Sequence, residues 1–318
     1  LLSGCPTVND GAAVECSPCL GDYDVWSESS LETTARCSSI YGSLIVEDQD
    51  DFANVDLPCL ATVDSEDGDV SIEGNYSLTR VDLAALTTVA RDLEIHFNES
   101  LTSIDLSSLS GTGRSLYIAD NPSLESIDLS SASTLDGNVI IGRNVSLTSL
   151  EYLSELTSVG DTLYIEDNTA LATLDGLSNL TDVGGWLRIS GNDSLTNLDA
   201  LSKVTAIGEK LHIKSNPALE NLDGLSGVSA LPGGLDLSNN GALLNLAGLS
   251  GVKSLGGNLS IRDHESLSNL DGLGSVGAVD GGVRLEFNDS LLNLDGLANL
   301  ASVSGYVAIS ENDSLVSI

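Results

Sequence analysis

The chain has 318 residues, 41% of them apolar but only 4% aromatic, so it can bury a sizeable core and that core must be aliphatic. Its 12 Lys and Arg against 47 Asp and Glu leave a net charge of −35. That balance excludes nucleic acid as a partner, because phosphate binding runs on cationic side chains, and it argues against docking on anionic lipid. It fits a solvated extracellular or high-salt setting, or binding of cations and basic partners.

Residues 1–36 precede the regular part of the chain and are expected to form a Cys-rich N-terminal cap. The five cysteines are Cys5, Cys16, Cys19, Cys37 and Cys59, all in the first fifth of the chain. Disulfides in the cap of a secreted protein are the expected use, with the pairing open. Five is odd, so one thiol is free or pairs outside the chain. Cys16-Ser-Pro-Cys19 has redox-motif spacing without a thioredoxin-like surrounding, and a zinc site would lack a second such pair or paired His. No run approaches the roughly 20 apolar residues of a membrane helix. With no Met in the chain, residue 1 is read as a processed start or the edge of a segment. The other end, "ENDSLVSI", stops in mid-repeat, and the array is expected to continue beyond 318.

Residues 37–318 are dominated by a repeat marked by Asn75, Asn98, Asn121, Asn144, Asn168, Asn192, Asn216, Asn240, His264, Asn288 and Asn312. The first three steps are 23 residues and the next seven are 24. An irregular unit, "GSLIVEDQDD", opens the array near Gln49, giving about 11–12 turns. The skeleton is G-G-x-L-x-I-x-x-N-x-S-L-x-x-L-D-G-L-x-x-L-x-x-V. Its "LxI" alternates as a half-buried strand does. The later apolar residues come every third position, interrupted by Asp-Gly, which suits short extended or 3₁₀-like legs joined by corners. In one unit Leu187, Ile189, Leu195, Leu198, Leu201, Val204 and Ile207 point inward. The spacing predicts a β-solenoid stabilised by stacking of turns about 4.8 Å apart. The marker Asn is expected to face inward and satisfy corner N–H and C=O groups as a ladder, with His264 as a structural rung.

"Cys37-Ser-Ser-Ile40-Tyr-Gly42-Ser-Leu44-Ile45-Val46" resembles the entry motif of receptor L domains, and "GLSNLTDVGGWLRISGNDSLTNLDAL" resembles their body. The resemblance covers about residues 37–318. It implies an all-β, right-handed, single-stranded solenoid related to leucine-rich repeats, as in the insulin and EGF receptor ectodomains and in fungal GPI-anchored cell-wall proteins. The chain departs from the receptors in running on as one longer array, with no cysteine-rich domain between two L domains and no kinase or membrane segment. The surface and cell-wall branch is the nearer analogy.

Six ladder asparagines read N-x-S, the glycosylation acceptor pattern, but an inward Asn cannot carry a glycan. Asn179 and Asn258, off the ladder at outward positions, are the glycan candidates. Asp175, Asp199, Asp223, Asp271 and Asp295 share one repeat position, with Asp105 and Asp128 at its equivalent in earlier turns. Two readings stand for this column: each Asp caps its own corner in an Asx-type turn, or the carboxylates form a calcium ladder. Asn197, Asn221, Asn245, Asn269 and Asn293 form a second column, expected to stack. On the outward strand face, Tyr117, Ile140, Tyr164, Trp186, Arg188, Lys210, His212 and Lys214 concentrate the scarce basic and aromatic residues. That face is read either as a recognition surface, since Tyr, Trp and Arg anchor interfaces, or as ordinary cross-strand pairing.

No nucleophile elbow, P-loop or zinc-protease motif occurs, and His96, His212 and His264 occupy unrelated positions, so no enzymatic activity and no cofactor are expected. The expected function is a non-enzymatic structural or adhesive component of a cell surface, wall or filamentous appendage. Its expected partners are further copies of itself, or other extracellular proteins and glycans. The alternative is a receptor-like ectodomain binding a protein or glycan on the strand face.

Overall fold

The computed structural model describes residues 15–51 and 53–316. The chain divides into two units, Leu1–Ser146 and Leu147–Ile318, and each is a parallel β-solenoid.

In the first unit, long strands stack in parallel and in register: Leu44–Glu47, Val70–Glu73, Leu93–His96, Leu116–Ala119 and Val139–Gly142, preceded by Tyr23–Asp24. Two further strand columns complete its turns. One holds Ser17–Leu20, Cys37–Tyr41, Thr62–Val63, Thr88–Val89 and Gly111–Thr112, the other Asn54–Asp56, Arg80–Asp82, Ser103–Asp105 and Ser126–Asp128. Pairing therefore begins upstream of Cys37. A short helix, Glu28–Thr34, interrupts the early turns and carries a capping box between Ser27 and Ser30.

In the second unit the long strands are Leu163–Glu166, Leu187–Ser190, Leu211–Lys214, Gly234–Ser238, Asn258–Arg262, Val283–Glu286 and Val307–Ser310. The third strand column is replaced by 3₁₀ turns, from Glu151–Leu153 and Asp175–Leu177 through to Asp295–Leu297. The change of leg follows the sequence. In the 23-residue repeats the leg reads "SID" and pairs as a strand, whereas the 24-residue repeats insert a residue and read "LDGL". Leu177 N–H then donates to Leu174 O at 2.8 Å and Leu180 N–H to Leu177 O at 3.0 Å, so leucines three apart share one face.

All seven residues expected inward in the 187–207 turn are at most 2% exposed. Each buried aliphatic side chain contributes roughly 1.5–3 kcal/mol, and the neighbouring turn supplies most of the burying surface. The marker asparagines, except Asn312 in the last turn, are buried in both units, and together they form the ladder. Asn75 N–H donates to Asn98 Oδ1 at 3.1 Å, and Asn192 N–H to Asn216 Oδ1 at 3.1 Å. Each amide nitrogen reaches a carbonyl of the preceding turn, as Asn192 Nδ2 reaches Ile165 O at 3.0 Å. The residue before each ladder position turns the corner with positive φ: Asp120 at 55°, Asp167 at 55°, Asn239 at 55°, but also Phe97 at 54°, Arg143 at 53° and Phe287 at 58°.

Two disulfides, Cys16–Cys59 and Cys19–Cys37, tie the first strands to the turns that follow. The Cys16–Cys19 pair is thus split between two bridges and is not a redox motif. Cys5 lies outside the described residues.

Candidate interaction face

The long strand sends residues one and three inward and residues two and four outward, because its side chains alternate. The outward side chains of successive turns therefore form two parallel columns about 4.8 Å apart from rung to rung. The first unit's columns are acidic, whereas those of the second unit carry Arg188, Lys214, Arg262 and Arg284 against Glu166, Asp236 and Glu286.

In the first unit the outward positions include Ile45, Glu47, Ser71, Glu73, Glu94, His96, Tyr117 and Ile140. Glu47, Glu73 and Glu94, with Asp69 and Asp92 at the strand entrance, line a cleft of about 290 Å³. Burial raises the carboxyl pKa of Glu94, and the charges of Asp92, Asp69 and Glu73 push it the same way against the pull of His96. His96 Nε2 lies 2.9 Å from Glu73 Oε2, and its ring meets Tyr117 edge-on at 5.4 Å. Of the predicted face residues, Tyr117 and Ile140 are cross-strand neighbours here.

The second unit carries the other six. Tyr164, Arg188, His212 and Asp236 are successive rungs. The Arg188 guanidinium sits 5.5 Å from the Tyr164 ring centre and the Lys210 ammonium 5.4 Å from that of Trp186. Trp186 Nε1 donates to Glu209. Asp236 is the shared counter-charge: Lys210 Nζ approaches it at 3.1 Å, His212 Nδ1 at 3.5 Å and Arg262 Nη2 at 3.7 Å. Burial raises the Asp236 pKa, but hydrogen bonds and charge from His212 and Lys210 outweigh it and hold the carboxyl well below the usual range. Lys214 is exposed.

Of the fourth strand position, sequence reading singled out only Lys214 for the face. It also supplies Glu47, Glu73, Arg262 and Glu286, and extending the period-two pattern by one residue would have found them. A second missed feature lies at the corners of the first unit. Tyr76 and Phe97, each about half exposed, line an open groove of about 320 Å³ with Glu99, Asp120, Pro122 and Arg143. Arg143 is fixed there by Asp120, Nε to Oδ1 at 2.6 Å and Nη2 to Oδ2 at 2.7 Å, and by Tyr117 Oη at 3.0 Å.

The acidic column behaves differently in the two units. Asp105 and Asp128 cap their corners, the first of the two readings of this column, with Oδ1 accepting from the N–H two residues on at 3.0 Å. In the second unit the cap comes instead from the asparagine two residues earlier: Asn197 Oδ1 accepts from Asp199 N–H, Asn221 from Asp223, Asn269 from Asp271 and Asn293 from Asp295. The second Asn column is therefore a set of local caps. Among the described residues no three or more His, Cys, Asp or Glu side chains are grouped to hold a metal ion, and Asp175, Asp199, Asp223, Asp271 and Asp295 form no such group.

Of the glycan candidates, Asn179 has both amide atoms engaged, Nδ2 with Ser154 O at 2.7 Å and Oδ1 with Lys203 Nζ at 2.5 Å. Asn258 is exposed, and its Oδ1 accepts from Gly282 N–H at 2.7 Å.

No family model and no curated protein matches this sequence. Among solved structures, the chain aligns with one described as the crystal structure of a TLR13–ssRNA13 complex, at 13% identity and a TM-score of 0.16. The alignment covers 91% of this chain and spans 61% of that one.

Proposed function

We propose that this chain is a non-enzymatic extracellular protein, a structural or adhesive component of a cell surface, wall or appendage, acting through the outward face of its long strands. The observation that carries this reading is the contrast between interior and exterior. Inward positions repeat Leu, Ile and Val turn after turn, while the outward column of the second unit runs Tyr164, Arg188, His212, Asp236, Ser260, Arg284, Ala308. Solenoid stability needs only the interior and the ladder, so a varied column rich in aromatic and cationic groups is the mark of recognition. The two disulfides support an oxidising compartment, and the resemblance to the surface and cell-wall branch of the receptor L domains agrees with it.

The test is attachment of the purified protein to surface or wall material of the cells that produce it, comparing wild type with a Tyr164→Ala, Trp186→Ala, Arg188→Ala triple variant. The reading expects the triple variant to keep its unfolding free energy within about 1 kcal/mol of wild type, as surface changes do, and to lose attachment. Full attachment by the folded variant would sink it. The groove of Tyr76, Phe97, Glu99 and Arg143 favours a second reading, capture of a soluble ligand by a receptor-like ectodomain. Under that reading Tyr76→Ala with Phe97→Ala abolishes ligand uptake and leaves surface attachment unchanged.

A further inference from the structure

Each strand face carries more charge of one sign than it neutralises. In the first unit Glu47, Asp69, Glu73, Asp92 and Glu94 meet only Arg91, 3.7 Å from Asp69, Arg114, 3.9 Å from Asp92, and His96. In the second unit Arg188, Lys210, Lys214, Arg262 and Arg284 stand on or beside the same columns. Asp236 is shared by Lys210 and Arg262 with the His212 ring beside it, Arg188 reaches Glu166 at 3.3 Å, Arg284 reaches Glu286 at 2.6 Å, and Glu209 accepts from Trp186 next to Lys210. No ion pair reaches the exposed Lys214 among the described residues.

Both faces are built from the same repeat, so their charged side chains advance by the same strand spacing of about 4.8 Å. Opposite rows on one pitch can be set in register over several rungs. The acidic face is also concave between Ser43 and Glu94, which leaves room for lysine and arginine side chains.

We propose, on the reading of the strand face as the interaction surface, that its partner is a second copy of this chain. The acidic strand face of one copy's first unit takes the basic strand face of another copy's second unit. The contact is heterologous, so repetition adds copies or closes a ring, depending on the rotation between them. The net charge of −35 opposes this at long range. At physiological ionic strength such repulsion is screened beyond about 8 Å, while paired side chains at contact distance are screened much less.

The experiment is sedimentation velocity of the full chain with reciprocal charge reversals. One variant carries Glu47→Lys and Glu94→Lys, the other Lys214→Glu and Arg262→Glu. The reversed positions are surface side chains, and circular dichroism checks that each variant is folded. Wild type should self-associate in 0.15 M salt. Each variant alone should associate at least about tenfold more weakly, because like charges then face one another across the contact. An equimolar mixture of the two should recover association, since the reversed acidic face of one then matches the reversed basic face of the other. A monomeric wild type, unchanged association in either variant, or no recovery in the mixture overturns the proposal. If the charge variants behave as wild type while the Tyr164, Trp186, Arg188 triple variant loses attachment to cell-surface material, the functional reading stands and only the identity of the partner is wrong.

Discussion

His264 Nδ1 lies 3.1 Å from the carbonyl oxygen of Asn240, so this rung keeps a side-chain contact to the preceding turn but lacks the ladder's accepting oxygen. Elsewhere the rung's backbone N–H donates to the next side-chain oxygen, as Asn216 N–H does to Asn240 Oδ1 at 3.0 Å. An imidazole offers no oxygen to Asn240 N–H, and Asn288 Oδ1, one turn on, is buried without a partner.

Replacing His264 with Asn should therefore stabilise the protein. The new amide would accept from Asn240 N–H and donate toward Asn288 Oδ1, and relieving buried unpaired groups is worth about 1–2 kcal/mol. The gain should depend on pH. Burial lowers the His264 pKa below its ordinary value of 6.5, so the unfolded state binds more protons as pH falls through about 6.5. Wild-type stability then drops on acidification by a share that His264→Asn abolishes. Urea midpoints at pH 8 and pH 5 measure this, and a gap that fails to widen at pH 5 would show that His264 is not the titrating group.

The corner before each rung predicts a second stabilising change. Phe287 holds φ at 58° and is 49% exposed. A bulky residue pays for left-handed backbone without the side-chain relief open to Asn, Asp or Gly. Phe287→Asn should raise stability by about 1 kcal/mol, read as a higher urea midpoint with an unchanged slope. A lower midpoint would mean that the half-buried ring contributes more by packing than the backbone loses in strain.

The interior was legible in the sequence because its constraints repeat. Leu187, Ile189, Leu195 and Asn192 recur at fixed spacing, and a position that must be filled the same way each turn announces itself. The corner was less legible, since Asp120, Asn239 and Gly191 advertise left-handed backbone but Phe97, Arg143 and Phe287 do not. The cap of the 3₁₀ leg was misassigned because Asp199 and Asn197 are both capable acceptors, and only the backbone path decides that Asn197 reaches Asp199 N–H. The acidic face of the first unit is less legible for a different reason. It depends on which outward residues become neighbours across turns, as Glu73 and His96 do, and pairs 23 residues apart are not adjacent in any local pattern.

The bridges Cys16–Cys59 and Cys19–Cys37 close loops with sequence separations of 43 and 18. Chain-entropy arguments assign such closures about 4 and about 3 kcal/mol, less where the bridges overlap. Reduction under native conditions should lower the unfolding midpoint of the first unit. The signal to follow is Trp26 fluorescence in a Trp186→Phe variant, because Trp26 lies between the bridged cysteines. An unchanged midpoint after complete thiol exposure would show that strand pairing alone fixes the early turns.

Asp236 supplies the sharpest electrostatic test of the second unit's face. Its side chain is 14% exposed and is approached by Lys210, His212 and Arg262. Asp236→Asn keeps the shape and removes the charge, leaving cations gathered on a partly buried surface with no shared anion. The expected cost is about 1–3 kcal/mol at pH 7. The sign with pH is fixed by the lowered carboxyl pKa. The stabilisation is complete above the unfolded-state value near 3.8 and is lost as pH falls below it, because the unfolded carboxylate protonates first. Wild type and Asp236→Asn should therefore converge in stability as pH is lowered from about 4 toward 2. A constant difference over that range would assign the cost of the substitution to packing, and Asp236 would no longer explain how Lys210 and Arg262 are held side by side on one strand face.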